Sequence, residues 1–518
     1  MTVIVIGAGI AGLSAAIHLA AQGRDILVLE RAAAPGGKMR EVTVGESLID
    51  SGPTVLTLAD VFEELFDFAG ESLADQLKLT PADILARHFW SDGSRLDLFA
   101  DEARSVDAIS AFAGANDAKG YRDFAAAGRA IYEALDESFM RADKPATPLS
   151  LMWRGGLRGI RGFTKLDPYR PLWDMVSQHM ADPRLRQLFG RYTTYCGSSP
   201  FRAPATLALI AHVERKGVWL VEGGMQRIAD TLADCAQRSG ARIVYDAHVE
   251  RISTNGGRVT GVTLASGKTI DAQAIVVAAD AAALADGRFG PTGGLSRFRA
   301  QDRSYSAFTV ALTGDVGDAP LVRHNIFFSD DSPAEFATLD GGGCPDDPTV
   351  YLCAQDRGAD AEAGRALDRP ERMLLVLNAP ANGDTHPYSQ AEIERWTTAA
   401  FTRLNRSGLR LNPNECQCSI STPSDFERRF PATGGALYGR ASHGWTASFR
   451  RPGASTQVKG LYCAGGSVHP GAGVPMAALS GRAAARALIA DQASTSTFRK
   501  AAMPGGMSTR SAMTADTA

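Results

Sequence analysis

The chain has 518 residues, enough for two domains, and an ordinary globular composition of 45% hydrophobic and 21% charged residues. A formal net charge of −3 argues against a nucleic-acid-binding protein, and no apolar run approaches the roughly 20 residues that span a bilayer. Seven scattered cysteines and nine histidines without a ligand-like cluster predict reduced thiols and no metal site. The first apolar run follows Met1 almost at once and leaves no room for a signal peptide, so we expect a cytoplasmic protein.

The amino-terminal segment carries a dinucleotide-binding fingerprint. An apolar run at 3–6 predicts a buried strand and leads through Gly7, Gly9 and Gly12 into a helical pattern. A second apolar run ends at Glu30, 18 residues after Gly12, where a carboxylate would accept hydrogen bonds from a ribose. Gly7 permits the tight turn, Gly9 lets the backbone approach a pyrophosphate, and Gly12 lets helix and strand pack closely. The alternative is a glycine-rich turn without a ligand, which the combined pattern disfavours.

A second glycine-rich segment follows the fingerprint. Residues 35–40 read Pro-Gly-Gly-Lys-Met-Arg, and residues 50–54 read Asp-Ser-Gly-Pro-Thr. Paired glycines bring a backbone close to a cofactor, and Lys38 or Arg40 could neutralise phosphate charge. Paired glycines alone are more often a simple turn, but their position directly after the fingerprint favours a cofactor-binding arm.

Later parts of the chain return to the same pattern. After Glu-Gly-Gly-Met at 222–225, an amphipathic helix is followed by predicted short strands, at 241–245, 248–252, 258–264 and 274–280. Near the carboxyl end, residues 460–466 predict a strand entering another glycine turn, and residues 477–490 predict a helix of small residues. The start of that helix could stabilise negative charge on a bound cofactor.

Together these segments resemble the FAD-binding parts of the amine-oxidase and carotenoid-desaturase superfamily, over nearly the whole chain up to about residue 490. The resemblance implies an α/β fold, with a Rossmann-like FAD-binding domain of the glutathione-reductase and amine-oxidase type and an inserted α+β substrate domain. The expected FAD-binding pieces are 1–75, 215–290 and 455–492, the expected substrate domain is 76–214 and 291–454, and 493–518 is expected to be a disordered tail. The first substrate segment is mostly helical in pattern, and the second has strand-like runs at 307–312, 325–328, 349–353 and 373–377.

The fingerprint and the resemblance together predict the contacts of FAD, including a backbone contact from Val249 to the adenine. The full predicted set is Gly7, Gly9, Ala11, Gly12, Glu30, Arg31, Gly37, Lys38, Pro53, Thr54, Val249, Gly465, Gly466, Gly473, Val474 and Pro475. No metal site is part of this prediction.

Several segments resemble the bacterial phytoene-desaturase family, at 191–200, 203–207 and 218–225. Those at 50–57, 61–66, 439–445 and 449–452 resemble more closely its branch of 1-hydroxycarotenoid 3,4-desaturases, also called methoxyneurosporene or hydroxyneurosporene dehydrogenases. This resemblance implies insertion of a C3–C4 double bond into an acyclic 1-hydroxy- or 1-methoxy-carotenoid. Alternatives are a phytoene desaturase, isomerase or ketolase on the same scaffold and, with weaker support, a flavin amine oxidase or a non-enzymatic isoprenoid-lipid carrier.

The expected chemistry needs few acid–base groups, because a flavin accepts the hydride and the protein mainly orients the substrate and excludes water. A proton acceptor must still exist, and His469 and His443 are candidates; the competing interpretation is a histidine that holds a loop through backbone hydrogen bonds. Ser442 and His443 could instead recognise a substrate hydroxyl. The terminal electron acceptor, oxygen or a quinone, stays open.

Residues 151–165 suggest how a hydrophobic carotenoid substrate is reached. Their cations repeat at helical spacing beside apolar side chains, at Arg154, Arg158, Arg161 and Lys165. Such a helix suits the surface of an anionic membrane, so we expect peripheral association with its inner face. Four glycines weaken the helix, and a solvated charged face is the alternative.

Overall fold

The computed structural model describes residues 2–147, 150–151, 166–358 and 370–500, the last seven through their backbone alone. The strands are β1 (Thr2–Ile6), β2 (Asp25–Leu29), β3 (Glu41–Val44), β4 (Ser47–Asp50), β5 (Leu79–Pro81), β6 (Ile84–Phe89), β7 (Arg95–Phe99), β8 (Trp219–Val221), β9 (Arg242–Val244), β10 (Val249–Asn255), β11 (Arg258–Leu264), β12 (Thr269–Asp271), β13 (Ala274–Val277), β14 (Ser306–Gly314), β15 (His324–Phe327), β16 (Val350–Ala354), β17 (Glu371–Ala379), β18 (Gln417–Ser421) and β19 (Leu461–Cys463).

The helices are α1 (Ile10–Ala20), α2 (Asp60–Phe68), α3 (Leu73–Gln76), α4 (Glu102–Ala113), α5 (Ala115–Leu135), α6 (Leu172–His179), α7 (Pro183–Gly190), α8 (Leu209–Lys216), α9 (Gln226–Arg238), α10 (Ala281–Ala285), α11 (Ser332–Asp340), α12 (Gln390–Arg406), α13 (Pro423–Arg429), α14 (Ala447–Arg450) and α15 (Val474–Lys500). Among the described residues, no helix is both long and apolar enough to cross a bilayer.

A five-stranded parallel sheet, in the order β19-β13-β1-β2-β9, forms the cofactor-domain sheet. Its strands come from the three segments predicted to bind FAD. Alternate side chains of β1 point to opposite layers: Val3 and Val5 pack with α1, α9 and α15, while Ile4 and Ile6 pack with β10 and β11. Both faces are therefore buried, which explains why these strands are continuous apolar runs.

A seven-stranded sheet, in the order β18-β14-β17-β16-β15-β6-β7, forms the substrate-domain sheet. One face packs on α12, where Phe308 and Leu375 meet Trp396. The other face carries Cys353 and Leu374, which pack against Ile49 of the hairpin β3–β4. The hairpin belongs to the amino-terminal segment, so this second face is turned toward the cofactor domain.

Most predicted strands are confirmed, including the four runs that became β14 to β17. The strands β6 and β7 were not predicted, because the segment 76–214 has a mostly helical pattern. Strand β6 is buried throughout although it contains Arg87 and His88. The guanidinium of Arg87 donates to both carboxylate oxygens of Asp97, each at 2.6 Å, and to the Pro320 carbonyl. A charged group paired in this way can be buried. Because Arg87 and His88 interrupt the apolar run, the sequence of β6 does not show the pattern that predicts a buried strand.

Two predictions concern segments that lie partly outside the described residues, at 493–518 and 151–165. The helix α15 continues to Lys500, so the tail predicted to be disordered from residue 493 begins inside a helix, and residues 501–518 lie outside the described residues. The basic membrane-binding segment predicted at 151–165 also lies outside them, apart from Leu151.

Candidate functional site

The three glycines at the turn between β1 and α1 differ in whether the protein itself excludes a side chain there. The φ angle of Gly7 is +101°, and its N–H donates to the Leu29 carbonyl at 2.8 Å. A Cβ on Gly12 would lie 2.0 Å from the Gly7 carbonyl oxygen, so packing alone excludes a side chain there. Gly9 has an ordinary φ of −74°, and a Cβ on it would meet nothing closer than the Gly36 carbonyl oxygen, at 3.8 Å. The protein itself does not need a glycine at this position, which leaves clearance for a ligand.

The predicted cofactor-binding arm lies directly beside this turn. The Gly36 N–H donates to the Ala8 carbonyl at 2.9 Å. A Cβ on Gly37 would lie 3.4 Å from the Cα of Gly9. The arm is therefore in direct backbone contact with the turn, and the two glycine segments together form one surface on which we expect the pyrophosphate.

At the end of β2, the buried carboxylate of Glu30 accepts the N–H of Ala8 at 2.7 Å and that of Ala32 at 2.8 Å. Each carboxylate oxygen still has a lone pair for a ribose hydroxyl. Val249 begins β10 and packs in the same apolar cluster as the end of β2, whereas Arg31 is exposed. The residues predicted for the nucleoside end thus lie around one strand end.

The glycine turn near the carboxyl end lies at the same edge of the cofactor-domain sheet. Gly465 has φ of +136°, and its N–H donates to the Ser480 hydroxyl at 3.1 Å. Gly473 has φ of +120° and precedes α15, whose first residues, Val474 and Pro475, are buried. The first N–H groups of a helix have no intrahelical acceptors, so they can face a ligand.

Close packing of α1 on α15 joins the two glycine turns. A Cβ on Gly481 would lie 2.2 Å from the Ala11 carbonyl oxygen, and the Ser14 hydroxyl donates to the Ala478 carbonyl at 2.7 Å. Ala11 therefore acts in the structure as a contact between helices. The strands β1, β13 and β19 end beside one another, which is the edge where parallel sheets bind dinucleotides.

The two cations predicted to neutralise phosphate are engaged with protein groups. The Lys38 ammonium donates to the Leu437 carbonyl at 2.7 Å and lies 3.6 Å from the Asp280 carboxylate. Burial lowers the pKa of Lys38, and Asp280 opposes that shift. Arg40 lies over the Phe426 ring, and burial lowers its pKa to about 10. Both side chains connect the cofactor-binding arm to the substrate domain.

Two structural residues of the site were not assigned from the sequence. The buried Asp50 carboxylate accepts the N–H groups of Met225 at 2.8 Å and Gln226 at 3.2 Å, which ties the 50–54 segment to the start of α9. Burial raises the pKa of Asp50. The buried Arg451 guanidinium donates to three carbonyls, those of Tyr438 (3.0 Å), Gly466 (2.9 Å) and Arg440 (2.7 Å). Its partners are backbone carbonyls, which every residue type provides, so no sequence pattern identifies it.

Both histidine candidates contact the backbone. The Nε2–H of His469 donates to the Ala142 carbonyl at 3.0 Å, and its ring packs edge-on against Phe139. The Nε2 of His443 accepts the Ser199 N–H at 3.0 Å. Burial lowers the pKa of each to about 4, so both are neutral at pH 7. These contacts correspond to the loop-holding interpretation.

Pro53 and Thr54 are half-buried and lie between the cofactor-binding arm and the substrate-domain sheet. The Thr54 hydroxyl is 2.7 Å from the Tyr351 hydroxyl, and that hydroxyl is 2.7 Å from Nδ1 of His324. Neither Tyr351 nor His324 was predicted from the sequence. The hydrogen bond joins residues 297 positions apart, which no sequence spacing could indicate.

Comparison with known proteins gives consistent results. The sequence model of the family described as flavin containing amine oxidoreductase matches residues 10–489. Two similar proteins are named hydroxyneurosporene desaturase. That of Rubrivivax gelatinosus is 44% identical, and the alignment covers 99% of this chain and 98% of the relative. That of Rhodobacter capsulatus is 41% identical, and the alignment covers 95% of this chain and 98% of the relative. A 4,4'-diapolycopene oxygenase of Methylomonas sp. is 29% identical over 94% and 98%.

Solved structures share the fold at low identity. Putrescine oxidase bound to putrescine aligns with a TM-score of 0.56 and 14% identity, covering 95% of this chain and 99% of that chain. Cyclohexylamine oxidase from Brevibacterium oxydans aligns with a TM-score of 0.53 and 17% identity, covering 95% and 99%. These similarities support the α/β fold with a Rossmann-like domain and an inserted substrate domain.

Proposed function

The chain belongs to the flavin-containing amine oxidoreductase family and is an FAD-dependent oxidoreductase, and from this premise we propose that it is a carotenoid desaturase. Its reaction introduces the C3–C4 double bond into an acyclic carotenoid with a 1-hydroxy or 1-methoxy group. The observation that carries this proposal is the 41–44% identity, over nearly the full length, to three proteins named hydroxyneurosporene desaturase. The oxygenases at 26–29% identity are more distant, which favours desaturation over oxygenation.

The residues of the site fit FAD. The clearance at Gly9 and the facing arm at Gly37 suit the pyrophosphate, the carboxylate of Glu30 suits a ribose, and the start of α15 suits the isoalloxazine. When bound, FAD supplies the hydride acceptor for removal of two hydrogens from adjacent carbons. The Lys38 and Arg451 contacts fix the substrate-domain loops against these turns. The protein's part is then to hold the polyene beside the flavin and to exclude water.

The proposal is tested by giving the purified holoenzyme, in liposomes, 1-hydroxyneurosporene and neurosporene in parallel. We expect loss of two hydrogens by mass and a red-shifted absorbance with the hydroxylated substrate. Exclusive action on neurosporene would support a carotenoid desaturase but reject its assignment to the 1-hydroxycarotenoid branch. Flavin bound without any product would reject the desaturase and favour an amine oxidase or a lipid carrier. Repeating the reaction without oxygen, with and without a quinone, decides between the two electron acceptors.

Peripheral membrane association is the second part of the proposal, because the substrate is insoluble in water. The side chains of Tyr169 and Trp445 are 76% and 44% exposed, and their rings lie 5.6 Å apart. Exposed tyrosine and tryptophan favour the membrane interface, where one end of the ring is apolar and the other is hydrated. Replacing both by Ser should reduce flotation with anionic liposomes, whereas the control Leu48→Ser, at another exposed apolar residue, should not. Equal flotation of the wild type, the double variant and Leu48→Ser would reject Tyr169 and Trp445 as a membrane-binding surface.

A further inference from the structure

The face of the substrate-domain sheet that turns toward the cofactor domain carries an unusual polar group of residues. Tyr351 pairs with Ile326 and His324 pairs with Cys353, so Tyr351, Cys353 and His324 lie on one face, here called the Tyr351 face. Cys353 packs against Ile49 of the hairpin β3–β4, which places this face over the cofactor domain. The opposite face, by contrast, is packed with Phe308, Leu375 and other apolar side chains. A tyrosine and a histidine on the cofactor side therefore need a reason other than sheet packing.

The hydrogen bonds of the Tyr351 face form a chain that starts at the predicted cofactor-binding segment. The Thr54 hydroxyl contacts the Tyr351 phenol at 2.7 Å, and the phenol contacts Nδ1 of His324 at 2.7 Å. A phenol has one donor and can accept two hydrogen bonds, and besides Thr54 and His324 the phenol contacts the thiol of Cys353, a weak hydrogen-bonding partner. Tyr351 is only half-buried, although it lies on a central strand of the sheet. A ligand oxygen beside Thr54 can therefore take the place of the thiol as the third partner of the phenol.

The second nitrogen of His324 determines which kind of hydrogen bond the phenol can offer. Nε2 of His324 is buried and has no hydrogen-bond partner among the described residues. The tautomer of a histidine is normally fixed by the partner of its other nitrogen, so neither tautomer is fixed here. When Nδ1 accepts from Tyr351, the phenol oxygen can accept a hydrogen bond from a ligand hydroxyl. When Nδ1–H donates to Tyr351, the phenol can donate to a ligand oxygen.

The charges around the hydrogen-bonded residues Thr54, Tyr351 and His324 select the class of ligand. Burial, followed by Arg323 and Arg191, lowers the pKa of His324 to about 3, so the imidazole is neutral at pH 7. The two arginines oppose any added positive charge, which disfavours an ammonium substrate. A neutral hydroxyl can use both the donating and the accepting state of the phenol, and an ether oxygen can use the donating state. The chain Thr54–Tyr351–His324 thus suits the oxygen of an alcohol or a methyl ether.

We propose that Tyr351 determines substrate specificity by hydrogen-bonding the oxygen at C1 of the carotenoid, with Thr54 and His324 as positioning residues. This inference rests on the proposed function. The C1 oxygen is only a few bonds from the C3 and C4 carbons that lose hydrogen, so its binding group must lie beside the flavin. Thr54 is predicted to contact FAD, so its hydrogen bond to Tyr351 places the phenol beside the expected cofactor site. A site that hydrogen-bonds a substrate hydroxyl also discriminates against the analogue without it, because its own polar group is left unpaired.

The test is the variant Tyr351→Phe, which keeps the ring and removes the hydroxyl. The ratio of kcat/KM for 1-hydroxyneurosporene to that for neurosporene should fall about 10-fold, the effect of one hydrogen bond. The ratio of the two Kd values, measured by quenching of protein fluorescence, should fall with it. The matched control is Tyr388→Phe, which removes a hydroxyl bonded to Asn382 at 2.8 Å on the α12 side of the sheet and should leave both ratios unchanged. Unchanged ratios in Tyr351→Phe would overturn the inference.

His324 is tested separately, because a positioning residue must act through Tyr351. An asparagine can place an amide near the position of Nδ1, whereas leucine cannot, so His324→Asn should retain more of the substrate discrimination than His324→Leu. Equal discrimination in the two variants would reject the positioning role. Wild-type enzyme that bound both carotenoids and desaturated neither would overturn the proposed function, while the Kd ratios would still show whether Tyr351 recognises the hydroxyl.

Discussion

Replacing Gly9 by alanine separates the needs of the cofactor from those of the fold. Its φ of −74° is accessible to any residue, and its added Cβ would approach no protein atom within 3.8 Å. The methyl group would nevertheless project from the surface formed by the turn and the arm at Gly36 and Gly37, where we place the pyrophosphate. Gly12→Ala is the opposite case, because its Cβ would lie 2.0 Å from the Gly7 carbonyl oxygen.

The expected magnitudes differ accordingly. For Gly9→Ala, a lower entropy of the unfolded chain stabilises by about 0.4–1 kcal/mol, while alanine is a poorer helix N-cap than glycine by about 1 kcal/mol. The two effects nearly cancel, so the free energy of unfolding of the apoprotein should hardly change. Overpacking by one methyl group costs about 1–3 kcal/mol, so the Kd for FAD should rise between roughly 5-fold and 150-fold. Gly12→Ala should lower the stability of the apoprotein itself by at least about 1–3 kcal/mol.

Two measurements distinguish these outcomes. Urea denaturation of the apoproteins gives the free energies of unfolding, and quenching of flavin fluorescence gives the Kd for FAD. Gly23→Ala, in the turn after α1, has no neighbour within 4 Å of the added Cβ but has a φ of +76°, so it should lower stability through backbone strain and leave FAD affinity unchanged. If Gly9→Ala bound FAD as tightly as the wild type, or if its apoprotein unfolded as readily as Gly12→Ala, the proposed pyrophosphate cradle would be wrong.

Two further predictions concern stability. Arg451→Met should lower the free energy of unfolding by about 3 kcal/mol in urea denaturation, because three carbonyl acceptors lose a charged donor. Arg451→Lys should recover only part of this free energy, because an ammonium cannot reproduce the geometry of the guanidinium. Full recovery in Arg451→Lys would contradict the role of Arg451 as a donor to three carbonyls. The pKa of His469 falls from 6.5 to about 4 on folding, so the unfolded chain binds a proton that the native state does not. Stability should therefore fall as the pH drops from 6.5 to 4, by up to about 3 kcal/mol for this group. His469→Gln, which can still donate to Ala142, should reduce that slope, and an unaltered slope would show that His469 does not cause it.

The sequence predicted the cofactor half of the molecule well because its features are local. Strand, glycine turn and helix follow one another within about 30 residues, and the glycines are required by angles and contacts of the turn itself, as at Gly7 and Gly12. The turn before α15 is local in the same way. The position of Glu30 follows from the end of a single apolar strand.

The substrate half was predicted less completely because its organisation depends on pairing between distant segments. Strand β6 has no continuous apolar run because it contains the buried Arg87, whose charge is paired with Asp97 across the β6–β7 hairpin. The proposed role of Tyr351 rests on its contact with Thr54, nearly 300 positions earlier. Arg451 acts through carbonyl groups, which every residue type provides. Composition and periodicity contain no information about such contacts.

The most direct test of the central claim compares 1-hydroxyneurosporene with neurosporene as substrates of the same holoenzyme preparation. The account predicts a product lighter by two hydrogens and shifted to longer wavelength from the hydroxylated carotenoid, with much less conversion of the unsubstituted one. Preferred conversion of neurosporene would contradict the assignment to this branch, and flavin-loaded enzyme that converted neither would contradict desaturation itself.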